Sequence, residues 1–139
     1  MATDFQAIVT AIETVVDDQA SKIDKVYPYE RSTLEGFPAL IIAKSDNDAD
    51  FGSTQNDKIG FVFKLRVYYL VPEEGEHADA ELAVTEAIDE LLTIFRVKDV
   101  LGSACDWVNP VPSVWYYEMR SEAVYRVGEI TLNCTKYVA

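Results

Sequence analysis

Between residues 3 and 21 apolar side chains return every third or fourth position: Phe5, Ile8, Val9, Ile12, Val15 and Val16. That spacing places them on one face and predicts an amphipathic helix, with Thr3 as N-cap and Asp4 favourable in the first turn. Its polar end runs through Asp17, Asp18, Gln19, Ser21 and Lys22, and Tyr27-Pro28-Tyr29 opens an extended segment. The period then changes to two. Residues 38–44 predict a first strand, and 59–71 a second that stops at Pro72. In the second, Ile59, Phe61, Phe63, Leu65, Val67, Tyr69 and Val71 share one face, with Lys64, Arg66 and Tyr68 on the other. One face is expected to meet helices and the other to be partly wet. The strand is long enough for part of it to project beyond the domain.

A second helix is predicted over about 79–96. Its apolar stripe is Leu82, Ile88, Leu91, Leu92 and Phe95, with Val84 and Ala87 at the margins. Asp79 is its expected N-cap and Arg96 suits its C-terminal end. Residues 97–111 read as irregular, and Asn109-Pro110-Val111-Pro112 excludes regular structure there. Two more strands follow, 113–118 and 123–137, joined by a turn around Arg120-Ser121. In the last strand the apolar parity changes: Ala123, Tyr125 and Val127 are odd, whereas Ile130, Leu132 and Cys134 are even. A one-residue bulge at Gly128 is expected to restore one apolar face; burial on both faces is the alternative. The order is α-β-β-α-β-β. It implies an α+β two-layer sandwich: a mainly antiparallel four-stranded sheet packed by two helices, in a single domain spanning 1–139.

Two regions lack any apolar periodicity. One is the long acidic loop at 45–58, between the first two strands; the other is Pro72 to Ala78. Long loops without structure of their own are uncommon in compact domains and tend to be functional or disordered. Asp46, Asp48, Asp50 and Asp57 fall at positions 1, 3, 5 and 12 of a calcium-loop template. Phe51 stands where that template needs glycine, Asp57 is shorter than the usual Glu, and the flanks are strands. Three readings stay open: a solvated loop held extended by like charges, an interaction arm that orders on a partner, and a calcium site. Phe51 favours the arm, since a free loop gains little from an aromatic at its tip.

Charge narrows the function classes. Lys plus Arg number 12 against 24 for Asp plus Glu, a formal net charge of −12. Such a chain is poorly suited to gripping nucleic acid by its phosphates. An acidic surface can still line a channel through which DNA slides. The 49% hydrophobic fraction supports a true core. No apolar run long enough to span a bilayer occurs, and no secretory signal is recognised, so synthesis in the cytoplasm is expected. Cys105 and Cys134 read as buried small hydrophobes, with a disulfide as the alternative. His77, the one histidine, sits beside Glu73, Glu74 and Glu76 and reads as solvent-exposed. With no metal triad, Gly-x-Ser-x-Gly elbow or glycine-rich phosphate loop, an enzyme is not expected, nor a cofactor. Trp107, Trp115, Tyr116 and Tyr117 gather near the third strand. Alternation puts Trp115 and Tyr117 on one face and Tyr116 on the other, either packed within the domain or forming an exposed aromatic surface.

An N-terminal amphipathic helix leads through Tyr27-Pro28 to Phe37-Pro38-Ala39-Leu40-Ile41-Ile42. A long loop follows, then a strand ending Val67-Tyr68-Tyr69-Leu70-Val71-Pro72, a helix and terminal strands. Over nearly the whole chain this resembles the tail terminator and tail completion (neck) proteins of long-tailed bacteriophages. The resemblance implies a structural virion protein in the tail or neck, made in the host bacterial cytoplasm. Its hexameric ring would cap the tail tube, stop elongation of the tube protein and offer a surface to the head–tail connector protein. DNA would pass through the lumen without specific binding. No membrane is implied. The residues best placed to form interfaces are Asp46, Asp48, Asp50, Phe51 and Asp57, with Glu73, Glu74 and Glu76. Another head–tail connector, a stopper or tube component, or a calcium-binding interaction module are the alternative readings.

Overall fold

The computed structural model describes residues 4–31, 33–44, 58–71, 77–97, 100–120 and 122–137. In chain order the elements are α1 (Asp4–Gln19), β1 (Lys25–Tyr27), β2 (Ala39–Lys44), β3 (Lys58–Val71), α2 (His77–Phe95), β4 (Trp107–Arg120) and β5 (Ala123–Tyr137). The strands form one five-stranded sheet in the order β1-β2-β3-β5-β4. The class is α+β as expected, but the sheet is mixed and has five strands. The extra strand is Lys25–Tyr27, which pairs parallel with β2 and is too short for any alternation to show in sequence. The other pairings are antiparallel.

Both helices pack on the same side of the sheet, where the main core lies. Ile8, Val9, Ile12 and Val16 of α1 are buried there, as their spacing foretold, against Phe61, Phe63, Leu65 and Val67 of β3. Phe5 meets Phe61 edge-on, with ring centroids 4.7 Å apart. The end of α1 is tied to α2 through Glu90, which accepts from the Lys22 N–H and the Ser21 hydroxyl, each at 2.7 Å. Burial opposes the Glu90 charge, but these hydrogen bonds outweigh it and lower its pKa.

Helix α2 corrects the expected stripe. Its core face is Ala80, Val84, Ala87, Ile88, Leu91 and Phe95, whereas Leu82 is 59% exposed. At about 100° per residue, Leu82 lies roughly opposite Val84 on the helix. Asp79 is also not the cap; the helix starts at His77 and holds Asp79 in its first turn. Thr3, the expected cap of α1, lies outside the described residues.

The expected bulge at Gly128 does not occur. β3 and β5 stay in continuous register from Lys58↔Tyr137 to Val71↔Val124. Strand β5 is instead buried on both faces. Ile130, Leu132 and Cys134 enter the main core, while Tyr125 and Val127 join a smaller cluster on the far side with Tyr27, Leu34, Ala39, Ile41, Ala43 and Tyr68. Gly128 marks where α2 crosses the sheet. A Cβ built there would lie 2.8 Å from Val84 Cγ1 and 3.1 Å from Ile88 Cγ1. The bulge is in β4. Pro112 faces Ile130 and Trp115 faces Gly128, so Ser113 and Val114 together oppose Glu129.

Residues 109–112 carry a further correction. They belong to β4, which begins at Trp107 and runs through both prolines. An edge strand has a ladder on one side only, so a residue without an N–H is tolerated where its nitrogen faces away from the partner.

Candidate functional site

Strand β4 positions the first candidate surface. It is the outer strand of the sheet, 14 residues long, and pairs only with β5. The bulge switches its parity. Before it Val108 is buried on the helix side; after it Trp115 and Tyr117 take that side, and Tyr116 packs against the smaller cluster opposite. The separation of Trp115 and Tyr117 from Tyr116 is therefore as alternation foretold. α2 packs over β3 and β5 and reaches β4 through His77 and Glu81 without covering it. Trp115 stays 42% exposed, Tyr117 46% and Met119 73%, with Trp107, Val111 and Val114 also open to solvent.

Arg126 lies at the centre of this surface. Its guanidinium stacks 4.7 Å from the Tyr117 ring centroid and 5.8 Å from that of Trp115. Its Nε is 2.9 Å from Glu81 Oε1 on α2 without forming an aligned hydrogen bond, so this attraction is Coulombic. The Tyr117 hydroxyl donates to the same Glu81 oxygen at 3.4 Å. The His77 ring, at the start of α2, sits 5.8 Å from Tyr117. Trp, Tyr and Arg are the residue types that dominate protein-interface energetics when a partner dehydrates them.

On the opposite face is a second candidate, a polar network. Glu129 is 8% exposed, the one buried charged residue among those described. It stands directly across from Arg66 in the β3–β5 ladder. Its Oε1 accepts from Arg66 Nε at 2.9 Å and its Oε2 from Ser113 Oγ at 2.8 Å, while Lys64 Nζ lies 3.9 Å away. Arg66 also donates to Glu30 at 2.6 Å. Arg120 pairs with Glu118 at 2.6 Å, donates to the Arg31 carbonyl, and meets the Tyr68 hydroxyl at 3.2 Å.

Burial works against the Arg66 cation, but its hydrogen bond to Glu129, aided by Tyr116, Tyr68 and Glu129 nearby, raises its pKa. Burial, reinforced by Glu118, pushes the Tyr68 phenol up despite Arg120. Tyr116 rises for the same leading reason. Each charged group here has a partner. The network therefore fixes the bulge and the underside of the sheet and leaves little free valence for a ligand. A shallow groove of about 380 Å³ adjoins it where β1 ends, lined by Tyr29, Glu30, Lys44 and Arg66 among others.

The interface candidates Asp46, Asp48, Asp50, Phe51, Asp57, Glu73, Glu74 and Glu76 lie outside the described residues. So does the calcium template. Among the described residues no group of three His, Cys, Asp or Glu side chains is placed to hold a metal ion. No described helix is long and apolar enough to cross a membrane. Sequence reasoning missed the Arg126 stack and the Glu129 network. The signal for the first was an Arg opposite an aromatic residue once the hairpin register is known; for the second, a Glu interrupting an apolar strand. No protein-family model matches the chain, and no curated protein matches it.

Proposed function

We propose that the protein is a ring-forming structural component of a phage tail: a terminator that caps the tail tube, stops its elongation and presents a face to the head–tail connector. The observation that supports this reading best is the open edge of β4. A long strand edge with exposed Val111, Val114, Trp115, Tyr117 and Met119 is a surface that an isolated subunit normally protects. Contact between this edge and a different patch on the next copy is heterologous, and such contacts close into rings when the rotation allows. Termination then needs no chemistry. One face of the ring must fit the last tube layer and the other must refuse a further layer.

The acidic balance suits a lumen through which DNA moves without sticking. The acidic segments 45–58 and 73–77 would supply contacts to the neighbouring subunit or the tube.

Native mass spectrometry over a concentration series tests the proposal. A discrete hexamer, alone or on addition of purified tube protein, is expected. Open-ended filaments formed by the chain alone would assign it to the tube. A monomer that ignores the tube protein would contradict the reading.

A further inference from the structure

The five-stranded sheet has two edges, and each presents main-chain groups over only part of its length. On β4, Pro110 and Pro112 stand opposite Leu132 and Ile130, with their nitrogens facing away from β5. Main-chain direction alternates with period two along an antiparallel ladder. Gly128, Arg126 and Val124 continue that parity on β5, and after the bulge has absorbed one residue they face Trp115, Tyr117 and Met119. These three therefore turn both N–H and C=O outward, whereas Pro110 and Pro112 turn out carbonyls alone. The outer edge of β4 offers an unbroken run of donors and acceptors only over 115–119. At the opposite edge the Lys25 N–H donates to the Pro38 carbonyl at 3.4 Å, which turns the even-numbered residues of β2 toward β1. β1 ends opposite Ile41. Beyond it Pro28 and Tyr29 line the groove of about 380 Å³ together with Ile42 and Lys44. The Ile42 carbonyl and both main-chain groups of Lys44 thus face a groove in which no described strand lies.

We propose that this groove receives β4 of a second copy, with Tyr117 opposite Lys44 and Met119 opposite Ile42, so that the sheet continues antiparallel from subunit to subunit. The inference rests on the ring reading and names the patch of the next copy that β4 meets. Charge supports the match. The Lys44 ammonium lies on the helix side, 5.7 Å from the Phe5 ring centroid, and has no carboxylate partner among the described residues. Tyr117 turns to the same side of β4, and the half-exposed Glu81 stands beside it. Pairing 117 with 44 brings that carboxylate and that aromatic ring to the free ammonium. The added main-chain bonds supply affinity, as in other strand additions. The two open stretches lie at opposite ends of the sheet, so a sheet joined through them is staggered and its strands tilt, as closed sheets require. A contact of β4 with β4 would instead be isologous and stop at a dimer.

The test uses the full chain carrying Tyr117→Cys or Lys44→Cys, both at exposed positions, oxidised with copper phenanthroline. Residues paired in a hydrogen-bonded antiparallel ladder have Cα atoms about 5.5 Å apart, within disulfide reach. An equimolar mixture should give covalent dimers. Each variant alone should give none, nor should the parent, whose two cysteines are buried. The double variant should give a covalently closed hexamer that dithiothreitol takes apart. Met119→Pro removes the donor to the Ile42 carbonyl and keeps the fold, as Pro110 and Pro112 do; it should weaken assembly about tenfold relative to Met119→Ser. Cross-linking by Tyr117→Cys alone, or equal assembly of the two Met119 variants, would overturn the proposal. Native mass spectrometry of the same samples separates its failure from that of the ring reading. Hexamers without the mixed disulfide overturn this contact alone, and monomers without it overturn both.

Discussion

At one edge of the sheet β1 offers three residues; at the other β4 offers 14. The short edge is shielded. Tyr27 is buried, and its hydroxyl both accepts from the Glu35 N–H at 2.9 Å and donates to the Glu35 carbonyl at 2.8 Å, clamping the covering segment over the smaller core. The long edge keeps its aromatic and aliphatic side chains in solvent, with Pro110, Pro112 and a bulge as the only irregularities. Short strands, proline and bulges are the usual means of protecting an edge. Here brevity protects β1, whereas β4 stays open along its length, from Trp107 through Val111 and Val114 to Trp115, Tyr117 and Met119. The difference teaches that exposure is concentrated, not spread, and that concentration is what points to assembly.

Perturbations should grade from the centre of the sheet outwards. Phe63→Ala removes a fully buried ring from β3, and a loss of about 3–5 kcal/mol is expected in urea unfolding. Glu129→Ala leaves Arg66 without its buried partner and Ser113 with only the residue-129 carbonyl as acceptor. It should cost about 2 kcal/mol and loosen the β4 bulge, read as faster amide exchange at residues 112–116. A small loss there would show that the network contributes less than its geometry suggests.

Tyr68 sharpens the comparison through pH. Its folded pKa is raised above the ordinary 10.0, so the folded state holds the proton more tightly than the unfolded chain. The associated stability is complete below pH 10.0 and is lost as pH rises from there through the folded pKa. Denaturant midpoints measured from pH 9 upwards should fall less steeply in Tyr68→Phe than in the parent. Equal slopes would remove Tyr68 as the source. At the outer edge, Met119→Ser should change stability by no more than about 0.5 kcal/mol, because the side chain is mostly in solvent already. A cost above about 1 kcal/mol would mean that the edge is part of the core.

The same gradient explains what the sequence made legible. Central β3 alternates cleanly because one face meets both helices, and α1 shows a single stripe because only one side of it is covered. Leu82 is apolar but out of phase with the core face of the helix; Val84 and Ala87 are smaller but correctly placed. Gly128 is special for its packing and not as a bulge. Its missing side chain admits α2, while the extra residue sits across the ladder at Ser113-Val114. The prolines of β4 look like breakers because sequence alone does not say which strand is at an edge. Arg126 and Glu129 depend on register, which no local pattern contains.

The central claim is that copies of the chain meet through the outer half of β4. Val114→Lys with Met119→Lys places charge on that edge while leaving the buried residues alone. Sedimentation velocity of this double variant against the parent, matched in concentration, is the most direct measurement. The account predicts a ring-sized parent, assembled alone or on tube protein, and a monomeric variant with an unchanged urea midpoint. A variant that assembles as fully as the parent would contradict it.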